Sequence, residues 1–283
     1  MPPFEAFFAE PPAGGRRLCI HTPPRATLRG AVLHVHAFAE EMNKSRRMTA
    51  LAARALADAG FAVLQIDLLG CGDSSGDFAD AHWDVWTSDL SWACGWLRQR
   101  HDAPLWLWGH RAGALLAGAV AKELDAPCHL LLWNPVLQGK AVTQQFVRLK
   151  AAADWASGDG KAAGAWVKAE LAAGRTVEIA GYGLNPALAQ SLDAATLAPP
   201  GGQGRRLVWL EVAGREGEPA LSPAASAQLP RWQAAGWQVQ SQAVAGPAFW
   251  QTVEIEDAPA LVQASVEALT APAPRLQSAE QAA

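Results

Sequence analysis

Leu105-Trp106-Leu107-Trp108-Gly109-His110-Arg111-Ala112-Gly113-Ala114-Leu115-Leu116-Ala117-Gly118 is the stretch that decides the fold. An apolar strand-like run reaches Gly109, and Gly113 opens an apolar run with helical character. A strand that passes straight into a helix leaves room only for a sharp turn. Small residues at both ends of that turn let the two elements pass closely. This is the pattern of a nucleophile elbow, whose central side chain is held up into a cleft. The central residue here is Arg111. Its guanidinium stays protonated near neutral pH and is no nucleophile.

Outward from the elbow, strands and helices alternate. Residues 31–36 read as a buried strand, 42–59 as a helix ended by Gly60, and 61–67 as the next strand. A glycine-rich loop follows over 69–76, then a Trp-rich helix over 82–100. Beyond the elbow come a helix over 112–124 and a strand over 128–133, closed by Asn134-Pro135. The strand rhythm breaks at about residue 137 and resumes with strands at 206–212 and 238–244, separated by a helix over 223–235. A last helix is expected over 257–269, and residues 4–8 and 16–21 add two antiparallel strands at one edge. This is a parallel α/β sheet with helices on both faces. The domain plan is a first core part at 1–136, a helical cap insertion at 137–204, a second core part at 205–270, and a disordered tail at 271–283.

The chain has 283 residues, half of them hydrophobic and 18% charged, with a net charge of −4. That suits a large core and argues against both disorder and a nucleic-acid partner. Cys19, Cys71, Cys94 and Cys128 are scattered, with no metal-ligand spacing, and read as reduced thiols of a cytoplasmic protein. No signal peptide, transmembrane segment or cofactor motif is evident. Gly72-Asp73-Ser74-Ser75-Gly76 matches G-x-S-x-G as a string. It lies several residues past its strand and no helix follows at once, so it reads as a loop of turns.

Longer strings carry a resemblance. His36-Ala37-Phe38 resembles the oxyanion loop of α/β-hydrolases, and Leu69-Gly70-Cys71-Gly72-Asp73-Ser74 resembles their Arg-Gly-x-Gly-x-Ser loop. Together with Ala39-Glu40-Glu41-Met42-Asn43-Lys44-Ser45-Arg46-Arg47, Gln65 to Gly76 and Leu105 to Gly109, most of the chain resembles the exosortase A system-associated hydrolase 2 family. The resemblance implies an α/β-hydrolase fold and a place near the exopolysaccharide genes of Gram-negative bacteria. Its hydrolase label rests on fold similarity.

The expected catalytic triad is degenerate. Phe249 in Ala245-Gly246-Pro247-Ala248-Phe249-Trp250 stands near the histidine position, and no histidine occurs after His129. Without that base the triad mechanism has no proton acceptor. Glu216 or Glu218 stands near the acid position, where each reads more simply as a solvated loop charge. The strand ends nevertheless carry a dense polar set: His36, Glu40, Glu41, Lys44, Arg46, Asp67, Asp73, Ser74, His110 and Arg111, with Phe38 a further candidate ligand-binding residue beside them.

Two readings of Arg111 remain open: an anion site at a helix N-terminus, and an internal ion pair with Glu40, Glu41 or Asp67. Two function classes follow. One is a non-catalytic protein that binds an anionic saccharide, lipid or protein partner of an exopolysaccharide pathway. The other is a hydrolase or acyl/glycosyl-transfer enzyme with a relocated site. Ser74 or Cys71 would then be nucleophile, His36 or His110 base, and Glu40, Asp67 or Asp73 the orienting acid. Arg111 and Phe249 favour the first class, and the density of polar residues favours the second.

Overall fold

Eight strands form one twisted sheet in the order β1-β2-β4-β3-β5-β6-β9-β10. They are β1 (Glu5–Ala9), β2 (Arg17–Thr22), β3 (Gly30–Val35), β4 (Phe61–Ile66), β5 (Leu105–His110), β6 (His129–Trp133), β9 (Arg206–Ala213) and β10 (Gln238–Ala245). β1 and β2 are antiparallel edge strands, as the sequence predicts, and β4 through β10 run parallel. The computed structural model describes residues 4–155, 160–201, 203–214 and 218–272. The expected disordered tail lies outside the described residues from position 273, as does Glu216.

Period-two alternation assigns each strand residue to a face. Leu105 and Leu107 of β5 and Leu130 and Leu132 of β6 face α2 (Trp83–Arg100) and α3 (Gly113–Glu123). Trp106, Trp108, Leu131 and Trp133 face α1 (Glu40–Asp58) and α8 (Pro259–Thr270). Many of the tryptophans therefore serve as core volume, and Trp108 meets Trp133 edge-on at 4.5 Å. α7 (Pro223–Ala234) packs on the α2 face, capped by Ser222 through the Ala225 N–H. α1 begins two residues earlier than the sequence pattern predicts, because Glu40 and Glu41 occupy its first turn, where the helix dipole favours acids.

The insertion holds three helices, α4 (Gly139–Trp155), α5 (Gly160–Ala172) and α6 (Pro186–Ala194). It also holds a hairpin, β7 (Val177–Ile179) and β8 (Tyr182–Leu184), so it is not wholly helical. These strands are too short to show a period-two pattern in the sequence. Ala180 and Gly181 turn the chain at φ 51° and 84°, the conformation that a two-residue hairpin loop needs. The insertion is tied down by packing and by one amide. Phe146 meets Phe38 at 5.2 Å and Tyr182 meets Phe78 at 5.1 Å. The Asn185 amide donates to the Ala79 and Ala81 carbonyls and accepts from the Leu188 N–H.

Candidate functional site at the elbow

β5 turns into α3 through Arg111, which sits at φ 53°, in the left-handed region that L-residues rarely adopt. The surroundings over-determine this strain. The Arg111 N–H donates to the Trp133 carbonyl at 3.0 Å, and its carbonyl accepts from Ala114 at 3.1 Å and Val136 at 3.3 Å. A Cβ on Gly113 would lie 2.2 Å from the Val35 carbonyl oxygen, and one on Gly109 would lie 2.6 Å from the Ala114 Cα. Only glycine lets α3 start this close to β3. The elbow inferred from spacing is thus an elbow by contact.

The guanidinium reaches into the cleft and finds acceptors. Nη2 and Nε of Arg111 lie 3.3 and 3.4 Å from Glu41 Oε1, and Nη2 lies 3.2 Å from Gln145 Oε1. The Gln145 amide donates to the same Glu41 oxygen at 3.1 Å. The Asn134 carbonyl accepts from Nη1 at 3.5 Å, and the Trp250 ring lies 5.2 Å from the guanidinium carbon. The Arg111 and Glu41 side chains are 16% and 8% exposed. Space here amounts to about 10 Å³, lined by Phe38, Glu40, Glu41, Arg111 and cap residues, enough for roughly one water. One cluster therefore joins elbow, α1 and cap.

The other predicted residues are spent elsewhere. Asp67 pairs with Arg46 at 2.9 Å and accepts from the Asp73 N–H, so it folds the glycine-rich loop and does not meet Arg111. Arg47 forks onto Asp257, and Lys44 is exposed. Glu40 lines the elbow space, and its Oε2 is buried with no hydrogen bond among the described residues. Burial raises its carboxyl above the usual range, helped by the neighbouring Glu41.

His36 uses both ring nitrogens on backbone: Nδ1 on the Ala37 carbonyl at 2.8 Å and Nε2 on the Leu68 N–H at 3.4 Å. The Ser74 hydroxyl donates to the Asp67 carbonyl and accepts from the Leu18 N–H. Cys71 is buried, and burial pushes its thiol upward, away from the reactive thiolate. Phe38 packs edge-on against Phe78 and Phe146.

Rings from the loop after β10 pack beside the elbow. Phe249 stacks on His110 at 5.3 Å, and Trp133 and Trp250 meet the same imidazole edge-on. The side chain nearest Arg111 from this loop is Trp250, which the spacing argument passed over. His110, the last residue of β5, is fully buried, with neither ring nitrogen hydrogen-bonded among the described residues. Near the acid position Glu218 is exposed, while Glu211, absent from the sequence reading, is buried at the end of β9. Glu211 accepts from the Ser222 N–H and hydroxyl and from the Trp209 indole, and so holds the start of α7. Its in-strand position hid it, as did the cap-helix position of Gln145.

The sequence pattern of the family described as serine aminopeptidase, S33, matches residues 26–167, about half the chain, including the elbow and the loop of Glu41. The chain belongs to that family. Among curated proteins, human ABHD12B is 33% identical over 95 residues, an alignment that spans 33% of this chain and 25% of ABHD12B. Two solved structures share the fold of this S33-family chain. Est1E from Butyrivibrio proteoclasticus, solved with ferulic acid bound, has a TM-score of 0.60 at 14% identity, covering 93% of this chain and 96% of that one. A thermostable carboxyl esterase from Bacillus coagulans has a TM-score of 0.55 at 16% identity, covering 87% and 91%. At such identities the likeness is one of fold alone, the α/β-hydrolase fold.

Arg111→Ser in this S33-family chain leaves Glu41 in a poorly solvated place with only the Gln145 amide. We expect a loss of roughly 2–3 kcal/mol in urea unfolding, below the ~3–5 kcal/mol of a fully buried pair. Arg111→Ser combined with Glu41→Gln should recover part of it. An unchanged midpoint for Arg111→Ser would mean that the pair adds nothing.

Burial among rings lowers the His110 imidazole to about 3, and the Arg111 charge adds to the effect. The unfolded chain takes up this proton near pH 6.5, and the folded chain resists it until about 3. Stability therefore falls as pH drops through that window and is untouched above it. His110→Phe should flatten the decline by up to about 1.4 kcal/mol per pH unit, measured by urea unfolding between about pH 7 and about pH 5. Equal slopes in both proteins would place the His110 titration outside this window.

Proposed function

We propose that this chain is a non-hydrolytic member of its family, a binding or accessory protein of the exosortase A-associated exopolysaccharide system that its sequence resembles. The observation that carries this reading is Arg111 at φ 53° in the nucleophile position, paired with Glu41. Phe249 and Trp250 stand where a base would be, and Glu211 is committed to α7. A serine mechanism then lacks nucleophile and base together.

Glu41 is the resident anion of the cleft. Its contacts with Arg111, at 3.3–3.4 Å, are longer than the ~2.7–2.9 Å of strong charge-assisted pairs. An anionic group of a saccharide, lipid or protein partner exchanges with Glu41 on Arg111 as α4 moves aside. A cytoplasmic location belongs to the same proposal, supported by four cysteines that are all free thiols. No helix among the described residues is long and apolar enough to cross a membrane. The relocated-enzyme reading draws no support from its own candidates. Ser74 and His36 are occupied by backbone partners, and Cys71 and His110 are buried without a catalytic neighbour.

The purified protein should hydrolyse p-nitrophenyl butyrate at the uncatalysed rate and should not react with a fluorophosphonate. Arg111→Ser should behave alike, because no base follows. D-glucuronate should bind Glu41→Gln about tenfold more tightly than wild type by calorimetry, and should not bind Arg111→Met. Ester turnover blocked by a serine-directed inhibitor would overturn the non-hydrolytic reading. Equal glucuronate affinity for wild type and Glu41→Gln would overturn the exchange.

A further inference from the structure

A second, larger cavity of about 220 Å³ lies under α1, between that helix and β2, β3 and β4. Its lining is separate from Arg111, Glu41 and Gln145 of the elbow. The walls are mostly apolar, with Ile20 and Ile66 from the sheet and Met42 and Ala50 from α1. Besides Thr22, His36, Ser45, Thr49 and Gln65, the polar lining residues are of three kinds. Arg46 and Asp67 neutralise each other at 2.9 Å. Arg54, eight residues further along α1, is exposed and makes no ion pair among the described residues. His34 is only 5% exposed, packs edge-on against Trp108 at 4.4 Å, and has its Nε2 buried with no partner among the described residues.

Each kind constrains an occupant. Buried polar groups of native proteins are nearly always paired, and the His34 imidazole lines the cavity with no hydrogen bond to either ring nitrogen among the described residues, which points to a polar group that enters the cavity. A neutral imidazole offers one N–H and one lone pair. A hydroxyl, both donor and acceptor, satisfies whichever nitrogen is left over. Arg54 supplies one positive charge that no lining residue cancels, and its fork suits a carboxylate. Arg54 is a single charge, so a doubly charged group would keep one charge uncompensated in the cavity, which favours a monoanion. The rise of an α-helix sets Arg54 about 12 Å from Arg46 along α1, so the charge sits at one end and the apolar wall runs inward from it. The volume lies below the ~300–1,000 Å³ of drug-sized pockets, so the occupant is compact.

We propose that this cavity binds a short hydroxy-monocarboxylic acid, with its carboxylate on Arg54, its hydroxyl at His34 and its hydrocarbon against Ile20, Ile66 and Ala50. The site is independent of the elbow and of whatever exchanges there with Glu41.

The probe is 3-hydroxyhexanoate, titrated calorimetrically into the full chain. Saturable binding is expected. Hexanoate should bind more weakly, and neutral hexane-1,3-diol at least about tenfold more weakly. Arg54→Met, a change at an exposed and unpaired side chain, should weaken binding by about tenfold while the melting temperature holds. Ala50→Phe, which fills the cavity, should abolish binding, and Arg111→Met should leave it in place. Absence of saturable binding, or equal affinity for the diol, would overturn the proposal. Equal affinity for hexanoate would overturn the hydroxy-acid assignment. Loss of binding in Arg111→Met with retention in Arg54→Met would move the carboxylate to the elbow and reject this site.

Discussion

The start of α3 passes so close to the end of β3 that no side chain fits between them at Gly113. That crossing sets the rest of the site. It forces the residue two places earlier into a left-handed conformation and aims its side chain away from both elements, into the space below α1 and the cap. Whatever residue stands there is presented to the cleft. In this chain it is a permanent cation, so the cleft has had to supply acceptors. The carboxylate of Glu41, the amide of Gln145, a backbone carbonyl and the face of Trp250 now converge where a substrate would otherwise react.

The packing at this centre draws on distant parts of the chain. The loop after β10 delivers Phe249 and Trp250, one to the imidazole of His110 and one to the guanidinium of Arg111. An arginine alone at the elbow would leave a base facing a cation. Rings alone would leave a serine with no proton acceptor. The arginine and the rings occur together, in a packed centre with space for roughly one water. Two structures that share the fold at 14–16% identity are Est1E with ferulic acid bound and a carboxyl esterase. The scaffold they share tolerates the exchange, because the elbow geometry depends on glycines and on backbone contacts and not on the identity of the central side chain.

The dense polar residues at the strand ends raised the alternative of a relocated active site. Their tertiary roles are mostly architectural. Asp67 closes the glycine-rich loop with Arg46 and the Asp73 N–H, Ser74 ties that loop to β2, and His36 bridges two backbone groups. Loops that carry backbone polar groups into a partly buried cleft need such partners. A retired or redirected site can therefore keep many polar side chains. Among the buried polar atoms without a partner in the described residues is His34 Nε2, under α1.

The alternation of strands and helices along the chain, the location of the elbow, and the absence of a serine at its centre and of any histidine after His129 were all legible in the sequence. Each rests on a local signal: period-two alternation, a strand abutting a helix between two glycines, and the residue types at Arg111 and Phe249. The hairpin of the cap was not legible, since two three-residue strands carry too little pattern. Nor could local pattern choose among Glu40, Glu41 and Asp67 as the partner of Arg111, because all three stand near the ends of neighbouring elements. The tertiary placement of α1, entered through Ala39 at φ 49°, decides that choice. It turns Glu41 into the cleft, leaves Glu40 beside it with one oxygen unpaired, and gives Asp67 to Arg46. Gln145, Glu211 and Trp250 belong to the same class. Their residue types are ordinary for their positions, and only packing between segments far apart in the chain brings them to the site.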